Sequence, residues 1–425
     1  SGTYESTWQL QTADGEPFGE PQTFIFRVFP PATATPRATN TPVPTATSEA
    51  VSGSVNWIFS VGFCDYPGGL DWRFYTVPGN PADGFEDPIL DMAAETWTGE
   101  WWTIGGGGTV WDSMAFDPEL DLLYFGVGNG SPWDRDVRSP GGGDNLFLCS
   151  IVALDPDTGE YRWHYQTTPG ETWDYNSNMD IVLADLEMDG RTVKALMHAP
   201  KNGFFYVIDR ENGKLLVAEP FSEVTWASHV DLETGRPVEV PGQRYEDGGP
   251  VRVAPSAWGA HSWHAMSYNP QTGLVYIPAM DRNYGFYAIE GDDNPMGQKL
   301  SISFAMGGRM HEKYGVEAYA RSFLLAWDPL RQREAWRVDY GDQRSGGTLS
   351  TAGNLVFQGN RGDNTFRAFD AASGEELWRR DVQTGALAGP VSYLLDGEQY
   401  IAVVGGFKNT RSYYEPNYSR LLVFK

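Results

Sequence analysis

The chain has 425 residues, 41% of them hydrophobic and 14% aromatic, which is ample material for a large core and excludes a disordered chain. Its 31 basic residues stand against 56 acidic ones, and a formal charge of −25 repels phosphate backbones and anionic lipid, so nucleic acid is not expected as a partner. The two cysteines, Cys64 and Cys149, exclude a disulfide scaffold and a multi-thiolate zinc site, and the lack of a CxxCH run excludes covalent c-type haem.

Residues 1–29 read as a short β fragment. Thr7 to Gln11 alternates with period two, Ala13-Asp14-Gly15 supplies a turn, and Phe24 to Val28 forms a second strand. The stretch GTYESTWQLQTADGEPFGEP resembles the last strands of a tryptophan-containing immunoglobulin-like domain, of which the chain holds only an end. Residues 30–50 are almost entirely Pro, Thr and Ala, a composition that stays extended and cannot bury a core, and are expected to be a linker of the kind found in exported proteins. Residues 51–70 form a junction without a clear pattern. A start at Ser1, with neither Met nor signal peptide, reads as a processed product or a fragment. No apolar run approaches the roughly 18 residues of a membrane span.

From residue 71 to 425 the many glycines and prolines, 49 and 28 in the whole chain, predict many short strands. A weak repeat recurs there: an apolar strand ends in Asp, a turn follows, and then comes Trp or an aliphatic residue. Ile151 to Asp155 leads through Gly159 to Trp163, and Tyr206 to Asp209 leads to Gly213. Leu325 to Asp328 leads to Trp336, and Phe366 to Asp370 leads through Gly374 to Trp378. In a radial array of sheets the Asp caps the turn, Gly takes a positive φ and the Trp packs between adjacent blades. The fold class expected is therefore all-β, a β-propeller.

The segment from Gly105 to Tyr175, with the runs GVGNGSPW and ETWDY, is similar to the pyrroloquinoline quinone-dependent alcohol dehydrogenases, in particular the quinohaemoprotein subgroup, and the likeness continues to Ser419–Phe424. The resemblance implies an eight-bladed propeller holding the quinone and a calcium ion near its axis, present here only in part. It implies that Asp174 is the catalytic base and also a calcium ligand, and that Asn129 is the amide ligand to calcium, a cation that takes oxygen donors. Trp111 matches the indole floor beneath the quinone, Thr109 a hydroxyl on its rim, and Lys201 the cation placed against its oxygens. Ser262 and Trp263 align with further cofactor-proximal positions, Ser262 standing where the family has Asn. On this reading the chain oxidises an alcohol to an aldehyde, with hydride passing to the quinone and the hydroxyl proton to Asp174.

The resemblance also marks what differs. Ahead of Trp72 the family carries further blades, which supply a Glu ligand to calcium, an Arg to the quinone carboxylates and a disulfide between neighbouring cysteines. None of these occurs in 51–69, and Arg344-Ser345 stands where the family usually has a Trp. Missing blades would leave sheet edges and apolar faces bare. With no cytochrome domain after Lys425, electrons are expected to pass to an external acceptor such as a cytochrome c or a quinone, in an extracytoplasmic location. A different class remains open: a non-catalytic propeller serving as a binding or scaffold module. A carbohydrate-active propeller ranks below both, since no paired carboxylates stand out. Asp185 to Gly190 reads as a hairpin turn rather than a calcium loop, His261 and His264 as packing around Trp263, and Gly105 to Gly108 lacks the Lys-Ser/Thr of a phosphate loop.

Overall fold

The computed structural model describes residues 2–11, 17–28, 71–247, 250–289, 302–305, 320–341, 345–406 and 419–425. The chain divides into two units, one comprising Ser1–Ser52 with Gly62–Asp71 and the other Gly53–Val61 with Trp72–Lys425. In the first, β1 (Gly2–Gln11) and β2 (Pro17–Val28) pair antiparallel, with Tyr4 opposite Phe26 and Thr7 opposite Thr23. The two expected strands thus form a hairpin. The turn at 13–15, the linker at 30–50 and the junction at 51–70 lie outside the described residues, as does Cys64.

The second unit is a succession of antiparallel sheets, the blades of a propeller. Blade 1 contains Met114–Asp117, Leu122–Gly126, Ser150–Leu154 and Tyr161–Gln166; blade 2 contains Ile181–Met188, Arg191–His198, Phe204–Asp209 and Leu215–Pro220. Blade 3 contains Ser267–Asn269, Leu274–Asp281, Arg321–Asp328 and Arg333–Gly341; blade 4 contains Ser345–Thr351, Leu355–Asn360, Thr365–Asp370 and Glu376–Asp381. Blade 5 shows three strands, Val391–Leu395, Glu398–Gly405 and Arg420–Phe424. In each blade the strands neighbour one another in chain order. Helices are short, such as Ile89–Ala94, and no helix among the described residues is long and apolar enough to cross a membrane.

Strand alternation joins the blades. In the second strand of blade 3, Val275, Ile277 and Ala279 pack with Met197, Phe205 and Val207 of blade 2, while Leu274 and Tyr276 turn the other way, toward Val356 and Phe369 of blade 4. Each such side chain, once buried, contributes about 1.5–3 kcal/mol, so two-sided apolar strands are what make adjacent blades cohere. Blade 5 differs, with Val391, Leu394, Leu395 and Leu421 exposed.

The turn between the third and fourth strands explains the sequence repeat. Asp155, Asp209, Asp328 and Asp370 each accept backbone N–H bonds within their own turn, for example Asp155 Oδ1 from Thr158 N at 3.0 Å. Tryptophans from the preceding segment seat on these turns: Trp72 Nε1 donates to Pro156 O, Trp163 Nε1 to Arg210 O and Trp336 Nε1 to Ala371 O. Gly213 has φ +76°, and a Cβ there would come within 2.5 Å of the Trp163 ring. Trp378 lies between blades 4 and 5 as expected but is only partly covered. It meets Phe366 and Phe424 edge-on in the three-stranded neighbourhood of blade 5 and stays 37% exposed. Asp189-Gly190 is the hairpin turn expected there, joining the first two strands of blade 2.

Candidate active site

In an up-and-down blade, the turns between strands one and two and between strands three and four fall at one end. The turn between strands two and three and the crossing to the next blade fall at the other. Five segments of this second kind carry the candidate residues: 105–113 leading into blade 1, 127–149 and 199–203 inside blades 1 and 2, and 167–180 and 221–266 crossing between blades. The common end follows from strand direction alone.

The residues then meet through specific bonds. Gly106–Gly107 pairs antiparallel with Gly130–Ser131, and the Thr109 carbonyl accepts from Gly128 N at 2.9 Å, which locks the segment bearing Thr109 and Trp111 to the segment bearing Asn129. Asp174 sits at φ +64°, a left-handed backbone uncommon outside glycine, and its side chain is mostly buried. Lys201 Nζ donates to Asp174 Oδ2 at 3.1 Å and to the Asp174 carbonyl at 3.2 Å. Burial pushes the Asp174 carboxyl above the ordinary carboxylate range, while the Lys201 ammonium and a hydrogen bond from Asn176 pull it down. The Lys201 backbone is gripped by the 256–260 stretch, where Ala260 N donates to Lys201 O at 3.0 Å.

Trp111 is held by one edge and open on its surface: its Nε1 donates to Asn176 Oδ1 at 3.1 Å, yet 43% of the residue is exposed. Trp263 is equally exposed and stacks on His264 with centroids 4.1 Å apart. Its neighbour Ser262 is buried. Of the two histidines expected around Trp263, His264 stacks on its ring, while His261 lies between the Ala199 and His264 carbonyls. The geometry brings Thr109, Trp111, Asn129, Asp174 and Lys201 into one bonded cluster. Ser262 and Trp263 are joined to it only through the stretch that grips Lys201.

Three further residues hold this cluster, and the sequence did not single them out. Asn176 contacts three of its members. Glu171, with no exposed surface, accepts from Gly130 N at 2.8 Å and from Tyr175 N at 3.1 Å, bolting the Asn129 segment to the Asp174 segment. Burial, with Asp174 adding and Arg138 opposing, pushes the Glu171 carboxyl up to about 7. Arg138, fully buried, donates to Pro132 O, Trp133 O, Asn145 Oδ1 and Glu171 O. The only signal available was the ETWDY run itself, in which Glu171 stands three residues before Asp174.

A planar, anionic cofactor fits this arrangement: an anchored indole with a bare surface offers stacking area, and a largely buried ammonium beside it offers charge. A hard cation fits in kind but not in number. Asn129 and Asp174 provide oxygen donors, whereas calcium takes six to eight, and no group of three or more His, Cys, Asp or Glu among the described residues is arranged to hold a metal.

Comparison with known proteins agrees with the architecture. The family model of the PQQ glucose/ethanol/alcohol dehydrogenase beta-propeller domain matches residues 60–233 and 324–401, more than half the chain. Over 341 residues the chain is 55% identical to the quinohemoprotein alcohol dehydrogenase ADH IIB of Pseudomonas putida, covering 80% of this chain and 49% of that protein. It is 42% identical over 347 residues to the 1-butanol dehydrogenase (cytochrome c) of Thauera butanivorans, covering 78% and 48%. The crystal structure of quinohemoprotein alcohol dehydrogenase from Comamonas testosteroni superposes with a TM-score of 0.74 at 46% identity, covering 79% of this chain and 50% of that one. The chain spans about half the length of the curated relatives it matches.

Proposed function

The chain belongs to the pyrroloquinoline quinone-dependent alcohol dehydrogenase family, and from that membership we propose that its loop end is the site at which a quinoprotein oxidises an alcohol to an aldehyde. When bound, the quinone supplies the two-electron acceptor for the hydride leaving the carbinol carbon. Trp111 would be its floor, with Thr109, Ser262 and Trp263 around its rim. Asp174 is the base: its carboxylate takes the substrate hydroxyl proton as the carbinol C–H bond breaks. A carboxyl raised by burial is a stronger base than an exposed one, and the Lys201 ammonium at 3.1 Å keeps it ionised and aimed. Lys201 would also supply positive charge to stabilise the bound quinone as it is reduced. Asn129 and Asp174 would provide two of the oxygens around calcium, and residues outside the cluster would have to complete that shell.

The buried Asp174–Lys201 pair beside an anchored, bare indole is the observation that carries this assignment. Electrons would then pass to an external acceptor; a relative whose name specifies cytochrome c supports a cytochrome c in that role. The Pro/Thr-rich segment at 30–50 supports an extracytoplasmic setting. The test is reconstitution of the chain with pyrroloquinoline quinone and calcium, followed by dye-linked oxidation of short alcohols. Turnover is expected in the wild type and should fall about 10³-fold in Asp174→Asn. Equal turnover in the variant removes Asp174 from the chemistry, and a folded chain that fails to bind the quinone at micromolar concentration removes the enzyme assignment.

A further inference from the structure

His261 is fully buried between two parts of the candidate site. Its Nδ1 lies 2.7 Å from the Ala199 carbonyl oxygen, and its Nε2 lies 2.7 Å from the His264 carbonyl oxygen. A peptide carbonyl can only accept, so each ring nitrogen must carry a hydrogen and donate it. A ring with both hydrogens is an imidazolium, whereas a neutral ring would set one nitrogen lone pair against a carbonyl oxygen. Both distances suit charge-assisted bonds. A buried cation needs an anion nearby, and Asp180, whose Oδ2 accepts from Met266 N at 2.7 Å, supplies it. Burial pushes the Asp180 carboxyl up, and the positive His261 ring pulls it back down. The other imidazole beside this pair, His198, donates from Nδ1 to the Asp180 carbonyl and stays neutral, since burial lowers it to about 4.

Each bond of the ring fixes a different part of the site. Ala199 stands two residues before Lys201, and Ala260, next to His261, closes on the same loop by donating its N–H to Lys201 O at 3.0 Å. Gly259 has φ +80°, and a Cβ there would come within 2.5 Å of Lys201 Cγ, so the 259–261 turn wraps the lysine stem. His264 carries the ring on which Trp263 stacks, with centroids 4.1 Å apart. We propose that His261 is a positioning residue of this site, an imidazolium whose two N–H groups tie the Lys201 loop of blade 2 to the Trp263 stretch ahead of blade 3. The clamp sets the ammonium and the indole relative to each other. That this arrangement serves the quinone rests on the proposed function, in which Lys201 and Trp263 flank the cofactor.

Two amides separate the bonds, because the Nδ2 of an asparagine takes the place of ring Nδ1 and the Nε2 of a glutamine that of ring Nε2. His261→Asn therefore keeps the Ala199 bond, and His261→Gln keeps the His264 bond. In the cofactor-free full-length chain, the ring nitrogen resonances that vanish in both variants should show two N–H groups at pH 7. Acetylation of Lys201, read by peptide mapping, should quicken about tenfold in His261→Gln and stay near the wild-type rate in His261→Asn. The Trp263 indole N–H resonance should shift in His261→Asn only. After reconstitution with pyrroloquinoline quinone and calcium, kcat should fall in His261→Gln, while His261→Asn should bind the quinone more weakly and keep its kcat at saturating quinone. A ring with a single N–H, or equal changes at Lys201 and Trp263 in the two variants, would reduce His261 to ordinary packing and overturn the inference. Should one variant fail to fold, the other and the ring resonances decide. If the split appears in the cofactor-free chain and the quinone readouts do not move, the clamp stands, but Lys201 and Trp263 do not flank the quinone and the proposed function falls.

Discussion

The two ends of each blade are made by the same strands, yet their residues serve opposite purposes. At one end, Asp155, Asp209, Asp328 and Asp370 close short turns through their own backbone, and Trp72, Trp163 and Trp336 seat on such turns, so the same pairings recur from blade to blade. At the other end nothing repeats. Asp174 is held in a left-handed backbone, Glu171 and Arg138 are buried charged groups, and Trp111 and Trp263 keep large surfaces bare. Such repeated pairing gives stability that each blade shares with its neighbour. Charge buried across segments tens of residues apart is costly to maintain, and such sites concentrate where chemistry needs them.

That contrast can be broken by substitution. The largest effect on folding is expected from Arg138→Leu, which takes a charged donor away from four oxygen acceptors at the loop end and should cost about 3–5 kcal/mol in chemical denaturation while weakening quinone binding as well. Gly213→Ala, at the turn end, combines a positive φ with a Cβ driven into the Trp163 ring; it should cost about 2 kcal/mol and leave quinone affinity unchanged. If Gly213→Ala impaired binding as much as Arg138→Leu, the two ends would not be functionally separate.

A smaller effect comes from Glu171 and has a definite sign. Its folded carboxyl, at about 7 rather than the usual 4.5, binds its proton more tightly than in the unfolded chain. Its contribution to stability is therefore full below about pH 4.5 and is lost as the pH rises through about 7. The unfolding free energy followed across that window should decline less in Glu171→Gln than in the wild type, by an amount on the order of 1–2 kcal/mol. A steeper decline in the variant would contradict the assignment of that proton.

The turn end was legible in the sequence because its motif is short and repeats: Asp, Gly and Trp recur at near-constant spacing and period-two alternation gives the strands, although each Trp seats on a turn 35 to 84 positions away. Trp378 shows the limit of that logic, since whether an inter-blade Trp is covered depends on its neighbouring sheet and not on its own motif. At the loop end, Asp174, Lys201, Trp111 and Asn129 were found through family likeness. The residues that hold them were not, because Arg138 looks like any surface charge until it meets the Glu171 carbonyl 33 positions away, and Asn176 looks like loop composition. Buried polar networks carry no periodicity, so only the fold shows them.

Quinone affinity at Trp111 is the most direct measurement of where the chemistry lies. Equilibrium dialysis of pyrroloquinoline quinone with calcium should show micromolar binding to the wild type and at least about tenfold weaker binding to Trp111→Leu, since a base-sized aromatic stack is worth about 1–3 kcal/mol. Melting should be nearly unchanged, because the indole surface is already exposed. Equal affinity in the two proteins would place the cofactor elsewhere and contradict the assignment of the loop end as the active site.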